Sequence, residues 1–361
     1  MNRVLILPVL CCFFMFSPSA FAAGEGLEVT AVTENLTEEV RSVGGTLTLD
    51  GAYDGAGALS RLWQTLLDKL RQELRESAAP AAAIAAIAIL SSLAAAICPD
   101  GRMTTLIHTT AAAATALTLT AGIDSLTAKS LGVLEQLSDY SRAALPAVFT
   151  AAAATGAAVT SSARYAAVCF ALDVLMHVTK KITLPLIYAF LAIAISGGVF
   201  PHPLMKGAAK LTKRLATTVM TALTTAFTAY IGLTGLVTAS ADAAAVKAAK
   251  TVISGVLPVV GGILSDAAST VLSAATLIKN SAGVFALVAV CAFCAGPFAA
   301  LSVRILLFRA AASAAEMVPG ERLSGLLNDL ASALSMLLGL VGSFAAMLFF
   351  SFLAAIRVTA T

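Results

Sequence analysis

The feature that most constrains this chain is a recurring run of about twenty residues without a single charge, long enough to cross the hydrocarbon core of a bilayer as a helix. Such runs occur at Ala79–Cys98, Thr104–Ile123, Ala143–Ser162, Ile182–Phe200, Ala216–Val237, Ala282–Val303 and Ala333–Ile356. A shorter one, Tyr165–Val178, carries Asp173 and His177. Only 12% of the 361 residues are charged and 59% are hydrophobic, and the mean hydropathy is +0.91. A soluble domain carries about twice that charge fraction. Both a water-soluble enzyme and a disordered chain are excluded. Bilayers admit helices or closed barrels, and stretches of helical length with few strand signatures select helices. The expected fold is therefore all-α: a multipass integral membrane helical protein with a cleaved signal peptide and broken or amphipathic helices. The expected count is six strong spans plus one or two weaker ones.

Three regions follow from the charge pattern. Residues 1–22 read as a signal peptide, with Arg3, an apolar stretch Leu5–Phe16 and a small-x-small site at Ala20-Phe21-Ala22. An uncleaved first anchor competes with this reading, but the apolar run is short for a span. Residues 23–78 hold ten acids and five bases, a net of −5, against +7 for the remaining mature chain. An acidic leader belongs on the exported side and basic loops in the cytoplasm, most clearly Lys206, Lys210, Lys213 and Arg214. Residues 79–361 form the membrane domain. Within the leader, residues 23–60 read as loosely ordered, with short strands around Thr46–Leu49. Leu62, Trp63, Leu66, Leu67, Leu70 and Leu74 then recur on one face of an amphipathic helix. That helix lies either in the membrane interface or over the protein's own extracellular face.

Polar residues inside apolar helices carry what chemistry there is. Thr217, Thr221, Thr224 and Thr228 form a hydroxyl stripe, and Thr104, His108, Thr115 and Thr118 a less regular one. A third stripe runs through Ser265, Asp266, Ser269, Ser273, Thr276, Lys279 and Asn280, just after Pro258, Gly261 and Gly262 interrupt the helix. A broken helix at membrane depth must have its backbone satisfied by protein or a wet cavity, and Asp266 or Asn280 cannot favourably meet lipid tails. The third stripe with Asp173 is thus the candidate polar interface or pore lining. For Thr217–Thr228, helix packing is the better account, since threonine also bonds its own preceding carbonyl. Asp173 and His177 form either a proton relay or, preferred, an interfacial pair beside Lys180 and Lys181. Cys291 and Cys294 read as small apolar side chains, not a redox pair. No phosphate loop, zinc-protease, nucleophile-elbow or dinucleotide motif is present. The chain is not expected to be an enzyme, to need a cofactor or metal, or to bind nucleic acid.

One run resembles a known family. It comprises Gly235-Leu-Val-Thr-Ala-Ser-Ala-Asp242, Val246-Lys-Ala-Ala-Lys250 and Pro258-Val-Val-Gly-Gly-Ile-Leu-Ser-Asp266. It continues through Thr270-Val-Leu272, Leu277-Ile-Lys-Asn280 and Gly283-Val-Phe285, with Leu327-Asn-Asp-Leu330 before the last span. Together these resemble the stage III sporulation protein AE family of endospore-forming bacteria, most strongly over residues 180–357. The resemblance implies a multipass subunit of the mother-cell membrane around the forespore, in a channel or feeding-tube complex that sustains late forespore gene expression. It implies partners that are membrane, ring-forming and ATPase subunits, in a lipid bilayer, with a homo-oligomer among the allowed arrangements. It assigns no catalytic residue. The rival expectation is a self-sufficient secondary transporter with a polar midplane site at Asp173, Asp266 and Lys279.

Overall fold

In a computed structural model, the described residues are 36–45, 53–97, 101–155, 158–199, 202–256, 261–316 and 321–357; for 231–275, 277–279 and some scattered helical positions this means the backbone alone. The signal peptide and the strands expected near Thr46–Leu49 lie outside them. Among the described residues every regular element is a helix: α1 Glu38–Gly44, α2 Gly55–Ile97, α3 Gly101–Ala154, α4 Ala158–Val178, α5 Leu184–Val199, α6 Pro203–Val256, α7 Gly261–Glu316 and α8 Glu321–Arg357. A π-helical turn, Thr179–Thr183, joins α4 to α5.

Several helices are far longer than a bilayer requires. α3 and α6 have 54 residues each, about 80 Å if straight, whereas the hydrocarbon core is about 30 Å thick. Among the described residues, five helical stretches are long and apolar enough to cross a membrane: Gly55–Ile97, Gly101–Ala154, Ser161–Gly198, Asn280–Ala315 and Leu323–Ile356. This number differs from the count read from hydropathy. The stretches Thr104–Ile123 and Ala143–Ser162 fall largely on one continuous helix, because the interval Asp124–Arg142 between them is itself helical. Its charged residues are exposed, while Leu126, Leu134, Leu137 and Tyr140 are buried. The weaker stretch Tyr165–Val178 runs on into the next through the π turn, with no break at Lys180-Lys181. Ala216–Val237 passes beyond residue 230 into the backbone-only part of α6.

The helices pass through two stacked apolar layers. One contains Ile84 of α2, Ala112–Leu126 of α3, Ile187 and Phe190 of α5, Ala300–Ala315 of α7 and Leu323–Leu337 of α8. The other contains Ala58 and Leu62 of α2, Leu134–Phe149 of α3, Val168–Leu175 of α4, Ala282–Cys294 of α7 and Leu340–Ala355 of α8. α7 is the central pillar, packing on α1, α2, α3 and α8. In its most apolar stretch 67% of residues are buried within the protein, against 12% for α2. Ile89, Leu90, Leu93 and Ile97 of α2 therefore point outward, a face whose favourable solvent is lipid.

The described part of the leader is more ordered than its composition suggests. Val40 and Val43 of α1 are buried in the second layer. The Tyr53 hydroxyl donates to the Gly44 carbonyl at 2.9 Å, and Arg61 Nε donates to Val43 at 3.1 Å. Burial raises the Tyr53 phenol above its ordinary range, with Arg61 opposing, so it stays a neutral donor. At the far end, Arg164 of α4 donates to the Ala354 carbonyl at 3.0 Å, one of the last four carbonyls of α8, which have no helical partner. Arg164→Gln should lower the unfolding midpoint in detergent, by about 1–2 kcal/mol for a charged cap at a helix C-terminus. Unchanged melting would rule out that cap.

Candidate functional site

Between the two apolar layers runs a belt of charge. The α2 segment through Lys69, Gln72, Glu73 and Glu76 faces the α3 segment through Lys129, Ser130 and Gln136, and both meet α7 at Phe293, Gly296 and Pro297. These residues line a cavity of about 510 Å³. Its composition follows from the sequence. The acidic leader supplies the charges of α2, the polar interval supplies those of α3, and α7 contributes its proline. Pro297 has no N–H, so the Phe293 carbonyl loses its helical donor beside the cavity. Gly296 keeps the α7 wall thin there: a Cβ would lie 3.5 Å from Lys69 Nζ.

The cavity is lined by charged and amide side chains. Gln72 Nε2 donates to Glu76 Oε1 at 2.8 Å, and Ser130 Oγ to the Leu126 carbonyl at 2.7 Å. One oxygen of Glu73, Oε2, is buried and has no protein partner; such an atom is costly unless water reaches it. The belt continues on the outer surface, where Lys180 of the π turn pairs with Glu135 at 2.7 Å and Arg142 with Asp173 at 3.0 Å. Both pairs are about half exposed or more and contribute little to stability. Among the described residues no His/Cys/Asp/Glu group could hold a metal ion.

The structure separates the sequence-derived candidates. Asp173 sits in the exposed pair with Arg142, and His177 is also exposed. Pro258 lies outside the described residues. Gly261, Gly262, Ser265, Asp266, Ser269, Ser273 and Lys279 lie on the helical backbone of α7, their side chains outside the description, while Thr276 and Asn280 are half-buried. α6 ends at Val256 and α7 begins at Gly261, so helix termini bracket the interruption expected at Pro258. The threonine stripe of α6 bonds its own helix: Thr221 donates to Thr217, Thr224 to Met220 and Thr228 to Thr224, at 2.8–3.0 Å. Cys294 is buried and Cys291 half-buried within the apolar core. The cavity itself was not anticipated. Its signal was the alternation of buried and charged positions in 124–142, which marks a helix packing one face inward.

Comparison with known proteins then places the chain. Residues 51–360 match the family model described as Stage III sporulation protein AE. The Stage III sporulation protein AE of Bacillus subtilis (strain 168) is 24% identical over 186 residues, a stretch covering 52% of this chain and 46% of that relative. No solved structure matches. With its family model matched over most of its length, this helical membrane protein belongs to the stage III sporulation protein AE family.

Proposed function

We propose that this protein is a membrane subunit of a channel complex, or feeding tube, that links the mother cell to the forespore and sustains late forespore gene expression. It acts as a multipass protein of the mother-cell membrane around the forespore. Its partners are membrane, ring-forming and ATPase subunits, the last supplying the nucleotide hydrolysis for which this chain has no phosphate loop. The observation that carries this reading is the family match across residues 51–360. The charged cavity supports it secondarily, since a conduit component needs polar surface that water can reach. The stripe from Ser265 to Asn280, with Pro258, Gly261 and Gly262, serves as its polar contact with partner or pore.

The test is genetic. In an endospore former lacking its own family member, the wild-type gene should restore a late forespore reporter, and Ser269→Leu combined with Ser273→Leu should reduce it more than Leu272→Ile. Equal, negligible effects would remove the polar face from the account. The second reading, a self-sufficient transporter, is favoured only by the charged 510 Å³ cavity. Purified protein in liposomes separates the two: solute uptake without partners would support the transporter, and none is expected.

A further inference from the structure

Next to the charged belt, α2, α3 and α7 leave a second cavity of about 150 Å³. Its wall is mostly carbon, from Ile84 of α2 and Leu307 and Phe308 of α7 among others. Three polar side chains interrupt the carbon, Thr118, Ser77 and Arg304, and the Thr118 hydroxyl is spent on the Ala114 and Thr115 carbonyls of its own helix. Ser77 is only 2% exposed, and its hydroxyl has no hydrogen-bond partner, although Ser91 of α2 and Ser130 of α3 bond back to carbonyls of their own helices. Arg304 donates one Nη1 hydrogen bond to the Gly122 carbonyl at 3.2 Å, while its Nε is buried and unpartnered. Gly122 permits that approach, since a Cβ there would lie 3.3 Å from Nη1. No carboxylate lines the cavity. A half-buried guanidinium whose Nε–H is buried and idle, lining the same cavity as an idle hydroxyl, calls for an anionic acceptor.

Position selects which anion. Ser77 marks the boundary on α2 between the charged segment ending at Glu76 and the uncharged segment that follows, whose Ile89, Leu90 and Leu93 face outward. A phospholipid in the surrounding bilayer has its phosphate at such a boundary and its chains beside the apolar side. A free phosphate would want polar partners all round, whereas this wall is carbon on most sides. We propose that the groove between α2, α3 and α7 is a phospholipid site, with the phosphodiester held by Arg304 and Ser77 and an acyl chain lying along Ile84, Leu307 and Phe308. This assignment is independent of the channel role.

The experiment is native mass spectrometry on the delipidated full chain in detergent, titrated with phosphatidylglycerol and, in a separate arm, with inorganic phosphate as competitor. One tightly held lipid per chain is expected. Arg304→Gln should weaken it about tenfold, the loss of one charge-assisted contact, and Ser77→Ala more mildly. Arg309→Gln, on the exposed side of the same helix, should leave it unchanged. Equal weakening by Arg304→Gln and Arg309→Gln would reduce the effect to surface charge and overturn the site. So would displacement by inorganic phosphate, which would mean a soluble anion, or absence of bound lipid from a folded wild-type chain. If Arg304→Gln does not fold, Ser77→Ala decides: retention at wild-type affinity overturns the proposal.

Discussion

Phe285→Ala is expected to cost about 3–5 kcal/mol, the range for truncating a fully buried aromatic ring, seen as a fall of the unfolding midpoint in detergent. Phe285 is completely buried at the start of the apolar part of α7. Tyr53 meets its ring edge-on, with centroids 5.5 Å apart and planes at 73°. Gly44 at the end of α1 sits so close that a Cβ there would approach the same ring to 3.1 Å. One side chain thus joins the leader helix, the entry to α2 and the central pillar. Its removal leaves a cavity between Gly44, Tyr53 and the second apolar layer. Phe285→Leu should recover most of the loss, because it returns carbon without the edge-to-face contact. A Phe285→Ala protein melting with the wild type would show that α1 and Tyr53 do not rest on α7.

The second large effect comes from adding volume. Gly198, in the last turn of α5, faces Leu326 of α8, and a Cβ on it would lie 3.2–3.4 Å from three carbons of that leucine, its own Cβ included. Leu326 is buried in the first apolar layer and its Cβ cannot swing aside as a side-chain tip can. Gly198→Leu should destabilise by about 1–3 kcal/mol through overpacking, with Gly198→Ala intermediate, measured by the same melts. Retained stability for Gly198→Leu would mean that α5 and α8 are farther apart than described.

Hydropathy and the turn residues made the helical class legible. α2 stops at Ile97 and α3 starts at Gly101, flanking the Pro99-Asp100-Gly101 signal, and the same holds around Pro201-His202-Pro203 and Pro319-Gly320. The self-bonding threonines of α6 were also legible, because a hydroxyl in a helix always has a carbonyl one turn back within reach. What hydropathy cannot tell is which apolar helix meets lipid and which meets protein. The α2 and α7 stretches have mean hydropathies of 2.1 and 2.4, yet 12% and 67% of their residues are buried. In a bilayer, lipid tails and a helix neighbour are equally apolar surroundings, so the same side chains suit either. Asp124–Arg142 misled for the opposite reason. Its charge suggested a break, while Leu126, Leu134, Leu137 and Tyr140 recur at helical spacing and bury one face. The one-sided pattern in 124–142 signals a packed helix but not its partners, and the charged cavity closes only where α7, far along the chain, packs against α2 and α3.

That arrangement, a pillar of α7 and α8 shielded from lipid by the helices around it, is open to direct measurement. Spin labels at Leu93, Leu117, Val288 and Leu337, in a background without native cysteines, report collision rates with lipid-soluble oxygen and a water-soluble nickel chelate in reconstituted bilayers. Leu93 and Leu117 are exposed, whereas Val288 and Leu337 are buried. High oxygen accessibility at the first pair and low accessibility to both reagents at the second is the expected result. Oxygen accessibility at Val288 and Leu337 as high as at Leu93 would put the most apolar helices in lipid and contradict the arrangement.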